Sequence, residues 1–295
     1  MRAVLDVGTN SVRLLVAKVS RGRVEPVTKE VRVTRLGEGV DIKKSLDSKA
    51  MDRTLAALQE LSSLIPPGVP TKIFATSAVR DASNREEFAR LIKEQLGISL
   101  QIISGSREAE LSFLGAVSAL HGLGLPEPIT VVDIGGGSTE IYTGTSQGEL
   151  LGGCSMQVGA VRLLERHPHL DADLDSQIQA LLAPGVRGNL RFSPQTLVAV
   201  GGTASSLAAI IQDLDEYSDS KVAGFVYSLS ELADCYGKLG RLSLEERRQI
   251  PSLQAGREDI IVYGAAILLQ LVTMMGFPQI YTCTSSVLHG ALIVG

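Results

Sequence analysis

The chain has 295 residues, 44% of them hydrophobic, which is enough to bury a large core and suits two domains better than one. With 28 Lys and Arg against 32 Asp and Glu, its formal charge of -4 argues against a broad basic face for nucleic acid, so a polyanionic ligand has to be held locally. Cys154, Cys235 and Cys283 are far apart, odd in number and in no C-x-x-C spacing, which indicates neither a disulfide framework nor a zinc site and fits reduced thiols in the cytoplasm.

The pattern of the first 33 residues predicts three strands: one ending at Asp6, a second over Arg13 to Val19 and a third over Val24 to Val33, with Ser20 to Arg23 as the hairpin between the last two. A polar connection, Arg35 to Asp41, leads to an amphipathic helix over Ser48 to Ile65 that Pro66-Pro67 ends. Lys72 to Val79 reads as a strand, followed by a helix capped by Ser83 and Glu86 and closed by Gly97, and Ile98 to Ile103 as another strand. A helix runs from Ser104 to about His121, and the Gly- and Pro-rich stretch Gly122 to Pro128 is the expected boundary between domains 1-122 and 123-295.

The second half predicts strands at Val131 to Ile134, Glu140 to Thr143 and Glu149 to Leu151, a helix start at Val161 to Glu165, and a strand Thr196 to Val200 that empties into Gly201-Gly202-Thr203 and a helix. Helices are expected over Leu229 to Leu239, Ser243 to Ile250 and Ile260 to Met275, with Gln279 to Cys283 as a last strand. The long apolar helix is too short and too interrupted, by Tyr263, Gly264 and Gln270, to cross a membrane, and no signal peptide is expected before the first strand.

Two turns carry the chemistry. Val131 to Glu140 delivers Asp133, three glycines and the hydroxyls of Ser138 and Thr139 at the end of an apolar strand. Consecutive glycines let backbone N–H groups approach a ligand, so Gly135, Gly136 and Gly137 with Ser138 and Thr139 suit phosphate oxygens, while Asp133 suits a hydrated cation. The same pattern stands 127 residues earlier, where Asp6 and the turn Gly8-Thr9-Asn10-Ser11 overlay Asp133 and its turn, each followed by a second and third strand. A single Asp-x-Gly turn can be only a tight turn after a strand; two copies plus Gly201, Gly202 and Thr203 make a phosphate cleft between two similar domains. Neither a Rossmann Gly-x-Gly-x-x-Gly nor a Walker Gly-Lys-Ser/Thr is present.

The motifs together resemble the exopolyphosphatase and guanosine pentaphosphate phosphatase (Ppx/GppA) family, in its short two-domain form. The resemblance rests on Asp6 to Leu14, Arg35 to Gly39, Ala75 to Asn84, Ile103 to Ala109, Gly135 to Glu140, Gly159 to Leu163, Gly201 to Ser205 and Gly256 to Ile260. It implies an α/β fold of two duplicated ribonuclease H-like domains of the actin-like ATPase type, with an interdomain cleft and a last segment that packs back on the first domain. The implied activity is hydrolysis of the terminal phosphoanhydride of inorganic polyphosphate, with guanosine pentaphosphate or tetraphosphate as further ligands and a link to the stringent response. A homodimer stays open as a form of the chain, and neither nucleic acid nor membrane is an expected partner.

Residue by residue, the resemblance makes Glu108 the carboxylate that orients and deprotonates water, a role the residue alone does not reveal, since an acid in the first helical turn also serves the helix dipole. It puts Mg²⁺, or Mn²⁺, near Asp133 and Glu140 with Asp6 close by. Arg13 and Arg80 become phosphate contacts, as does Arg257, for which an ion pair with a nearby carboxylate is an equal alternative. A kinase of the same superfamily and a non-catalytic sensor of guanosine tetraphosphate or polyphosphate are the competing readings. The stretch Thr284 to Gly290 departs from the family pattern except at Gly290.

Overall fold

The computed structural model describes residues 1–20 and 22–295; Arg21, part of the expected first hairpin, lies outside the described residues. The first half opens with an antiparallel meander of β1 (Arg2–Val7), β2 (Ser11–Ser20) and β3 (Arg23–Val33). It continues through α1 (Val40–Lys43), α2 (Ser48–Ser63), β4 (Thr71–Ala75), α3 (Ser77–Asp81), α4 (Arg85–Leu96), β5 (Leu100–Ile102) and α5 (Gly105–Leu120). Its five strands are ordered β3-β2-β1-β4-β5, with β4 parallel to β1 and β5 parallel to β4. Ala3, Val4, Leu5 and Val7 of the central strand are all buried, as a strand covered on both faces requires.

The second half repeats this plan. It holds β6 (Ile129–Ile134), β7 (Thr139–Gly144), β8 (Leu150–Met156), α6 (Ala160–Arg166), α7 (Leu174–Leu190), β9 (Thr196–Val200), α8 (Gly201–Ile211) and α9 (Asp219–Val222). Then come β10 (Val226–Ser228), α10 (Leu229–Arg241), α11 (Leu244–Arg248), α12 (Ile261–Met275), β11 (Gln279–Thr282) and α13 (Val287–Val294). Its sheet runs β10-β11-β9-β6-β7-β8, so that β8-β7-β6-β9-β11 reproduces the first order, with β10 added antiparallel at the edge. The duplicated α/β fold expected from the paired turns is therefore present. No helix is long and apolar enough to cross a membrane among the described residues.

Several expected elements are corrected. The strand expected over Lys72 to Val79 stops at Ala75, and Ser77 to Asp81 turn into a helix with Ala78 and Val79 buried, because a short apolar run has no period of its own to separate strand from helix. The cap of α4 is Asn84 in place of Ser83: the Asn84 side chain bonds both the amide and the carbonyl of Leu46, while the Ser83 amide donates to Lys44 O. The helices α7 and α13 were not foreseen; Pro184 sits inside the first and the second is only eight residues long.

Two helices cross between the sheets. The α5 side chains Phe113, Ala116, Val117 and Leu120 pack on Ile129, Val131 and Val198 of the second sheet. Its Leu111 joins Val287, Leu288 and Leu292 of α13 against Val4, Leu15 and Phe74 of the first. This crossing is so close that a Cβ on Gly290 would lie 1.9 Å from Leu111 O, and one on Gly115 would lie 2.1 Å from Ser286 O. Gly290 is the one family-like position left in the divergent last segment, and its missing side chain is what lets α13 lie against α5.

Candidate active site

The turns β1–β2 and β6–β7 leave the carboxyl ends of parallel strands, where α/β sheets open into ligand crevices. In the second turn, Gly135 N donates to Ser138 O at 2.9 Å, and the carbonyls of Gly135 and Gly136 accept from the first amides of α6: Ala160 N at 3.0 Å, Val161 N at 2.8 Å and Arg162 N at 3.1 Å. The amides of Gly136, Gly137 and Ser138 have no acceptor among the described residues. The first turn is built alike. Its Gly8 N donates to Ser11 O at 3.0 Å, and its carbonyls are held by Gly37 N (2.8 Å to Thr9 O), Thr34 N and Arg35 N (3.0 and 2.9 Å to Asn10 O). Holding the carbonyl side of a peptide turn leaves its N–H dipoles for an anion.

The two turns meet. A Cβ on Gly136 would lie 3.0 Å from Thr9 Cβ, and one on Gly137 would lie 2.6 Å from Ser77 Oγ, so side chains at these positions would wedge the turns apart. Between them lies a cavity of ≈ 70 Å³ lined by Gly8 to Ser11, Ser77, Glu108, Asp133 and Glu140 among others. Arg13, Gly202 and Arg257 are shared with an adjoining cavity of ≈ 190 Å³, whose far wall holds Lys29, Tyr217 and His289.

Glu108, Asp133 and Glu140 line the cavity, and the fully buried Asp6, outside its lining, is tied to the lining residue Arg13. Burial raises the pKa values of all four carboxylates. Glu108 is pushed well up, first by burial and then by the neighbouring charge of Glu140, against the pull of Arg80. Arg80 Nη1 donates to Glu108 Oε2 and to Ile103 O, both at 3.1 Å. Glu140 accepts from Ser155 Oγ at 2.6 Å, and Asp133 accepts from Ser112 Oγ at 2.9 Å. Arg13 Nε donates to Asp6 Oδ2 at 2.8 Å, with a second short contact from its amino group, while Asp6 Oδ1 is buried without a partner among the described residues. Ser112 and Ser155 escaped the sequence reading, because lone serines on a helix and a strand carry no motif.

The predicted residues are not all in the cavity wall. Thr139, expected to donate to phosphate, is fully buried and its hydroxyl donates to Val158 O at 2.6 Å; as the first residue of β7 it points into the core. Thr203 lines the cavity, but its hydroxyl donates to Ile134 O at 3.0 Å. Gly201 lines only the adjoining cavity, and a Cβ there would lie 2.3 Å from Asp133 Oδ1. Arg257 forms no ion pair among the described residues, so the alternative of a carboxylate partner does not hold; the nearby Glu258 and Asp259 pair instead with Arg248 and Arg35. Its guanidinium lies against Gly202, where a Cβ would be 2.1 Å from Nη2. Burial, and then repulsion from Arg13, lowers its pKa to about 10.

Among the described residues, no three His, Cys, Asp or Glu side chains are arranged as a ready ligand set. The orphaned Asp6 Oδ1 and four buried carboxylates held above their ordinary range nonetheless fit a cation that keeps most of its water, as Mg²⁺ does.

Fold and site define a class: duplicated α/β proteins whose paired glycine turns face one cavity. The profile of the Ppx/GppA phosphatase family matches residues 15–294, and the chain belongs to that family. It is 33% identical over 310 residues to Exopolyphosphatase 2 of Mycobacterium tuberculosis (strain CDC 1551 / Oshkosh), covering 98% of this chain and 96% of that one. Its structure is similar to an exopolyphosphatase-like protein (TM-score 0.89, 31% identity, 99% and 97% of the two chains). It is also similar to an exopolyphosphatase from Cytophaga hutchinsonii (TM-score 0.89, 26% identity, 98% and 96%).

Proposed function

We propose that the protein is an exopolyphosphatase that hydrolyses the terminal phosphoanhydride of inorganic polyphosphate and releases orthophosphate. The observation that carries this reading is the pair of turns with unused amides facing one cavity whose wall includes the buried, strongly raised carboxyl of Glu108. Full-length similarity to a curated exopolyphosphatase supports it.

In this reading, the amides of Thr9, Asn10, Gly136, Gly137 and Ser138 bind the terminal phosphoryl group, with Arg13 and Arg257 on the next phosphates of the chain. Glu108 takes the proton of a water whose oxygen attacks the terminal phosphorus; the bridging P–O bond breaks and the shortened chain leaves with its charge. Arg80 holds Glu108 by one amino group and fixes its direction. Asp133 and Glu140, with Asp6 close by, would hold a Mg²⁺, which when bound would supply positive charge to the phosphate oxygens. A general base works best with a pKa near the working pH, and burial moves Glu108 in that direction.

The same cavity suits the terminal phosphate of guanosine pentaphosphate as a second substrate. We read the protein as cytoplasmic, in keeping with three free thiols at Cys154, Cys235 and Cys283. We divide it near residue 122, with α13 returning to the first half. The test is orthophosphate release with Mg²⁺ from long polyphosphate, short polyphosphate and guanosine pentaphosphate, side by side. Release from none of the three would overturn the reading and leave a sensor; a requirement for ATP with phosphate retained on an organic product would point to a kinase.

A further inference from the structure

Two motifs have no role in the chemistry above: Arg35 to Gly39 with Asp41 after it, and Gly159 to Leu163. Each provides the amides that hold the carbonyl side of one phosphate turn, Thr34, Arg35 and Gly37 for the first and Ala160 to Arg162 for the second. They also hold each other across the two halves. Arg162 Nε donates to Gly137 O at 2.8 Å, and the amino groups of the same guanidinium reach into the first half, with Nη2 2.7 Å from Asp81 Oδ2 and Nη1 in close contact with Asp41 Oδ1. Its Nη2 also donates to Gln157 Oε1 at 2.8 Å. Arg166 reaches the same Asp41 carboxylate, with Nε 2.5 Å from Oδ2 and Nη2 3.0 Å from Oδ1, and Glu165 accepts from Gly39 N at 2.6 Å.

We infer that Arg162 is a positioning residue that makes the conformation of the second phosphate turn depend on closure of the two halves. Among the described residues, the Gly137 carbonyl is the one turn carbonyl held by a side chain, and the same side chain is held by the opposite half. When the halves separate, the guanidinium loses Asp41 and Asp81, both buried or half-buried on the first half, and with them the fixed plane that presents its Nε to Gly137. A planar fork is suited to this: its edges take up both neighbours at fixed angles, which a lysine ammonium does not do. The acids on α1 and at the end of α3 thus tune an anion site that neither of them touches. The inference rests on the anion-binding reading of the turns and not on which phosphate compound is cleaved.

The experiment uses Arg162→Gln, Arg162→Lys, Asp81→Asn and the Arg162→Gln/Asp81→Asn double variant of the full chain. It measures calorimetric affinity for tripolyphosphate, the radius of gyration by small-angle scattering, kcat and KM for orthophosphate release, and thermal unfolding. Arg162→Gln should weaken tripolyphosphate at least tenfold and enlarge the free protein. Asp81→Asn should move both in the same direction by less, and the double variant should be no worse than Arg162→Gln alone. Arg162→Lys should recover thermal stability without recovering affinity. Loss of thermal stability in Asp81→Asn with unchanged affinity and radius, or full recovery of affinity by Arg162→Lys, would overturn the inference. Absence of phosphate release by the unsubstituted protein would instead bear on the proposed reaction, because affinity and radius are read without turnover.

Discussion

Arg80 grips Glu108 with one amino group, Nη1 at 3.1 Å from Oε2, while its other amino nitrogen, Nη2, is buried without a partner among the described residues. The pair therefore combines a held base with a cationic donor that has an unused hydrogen-bonding edge. Removing the base should be the most damaging single change. Glu108→Gln is expected to keep the fold and polyphosphate binding while lowering phosphate release by about 10² to 10⁴. Unchanged turnover, with affinity measured in parallel, would refute the assignment.

Arg80→Gln should act differently. Arg80 pulls the Glu108 pKa down against burial, so its loss leaves the carboxyl harder to ionise. The acid limb of the pH profile of kcat should move to higher pH, a displacement that a purely structural residue would not cause.

The carboxylates also predict opposite responses of stability to pH. Folded pKa values raised above unfolded ones mean that the native state binds more protons, so stability falls as pH rises through that interval. For Glu140 the interval runs from its ordinary value of 4.5 to about 7. Protein freed of divalent ions should lose melting temperature across that range, and Mg²⁺ should restore it, since a cation favours the ionised forms. Asp41, held down to about 2 first by Arg166 and then by Arg162, works the other way: its contribution is present above the unfolded value and disappears in acid below it. Thermal melts from pH 3 to 8, with and without Mg²⁺, would reveal a maximum between the two.

Glycine replacements separate binding from folding. Gly137→Ala puts a methyl 2.6 Å from Ser77 Oγ and 2.9 Å from Thr9 Oγ1, forcing the paired turns apart at the anion site. Its main effect should be a raised KM for polyphosphate with a small change in melting temperature. Gly290→Ala meets the backbone of α5 at 1.9 Å and should destabilise the fold by about 1–3 kcal/mol, the usual range for overpacking, while leaving KM near that of the parent. Chemical denaturation and steady-state kinetics on both variants would distinguish the two sites.

Sequence alone signalled the duplication, because a strand, an Asp and a Gly turn recur at a fixed offset of 127 residues, each followed by a second and a third strand. It also located the turn amides and, through family resemblance, Glu108. Tertiary structure decided what each side chain does with its polar atoms. Thr139 carries the same hydroxyl as a phosphate donor, yet its first position in β7 turns it to Val158. Arg257 is followed directly in sequence by two acids, Glu258 and Asp259, yet Arg248 and Arg35, brought in from other segments, take them up and leave its own guanidinium in the cavity. Arg162 has no local sign of its role, since the partners that define it, Gly137, Asp41 and Asp81, lie 25, 121 and 81 residues away. Hydrophobic period and turn composition are local properties of a chain; hydrogen-bond satisfaction of a buried charge is a property of whichever distant groups the packed sheets bring to it.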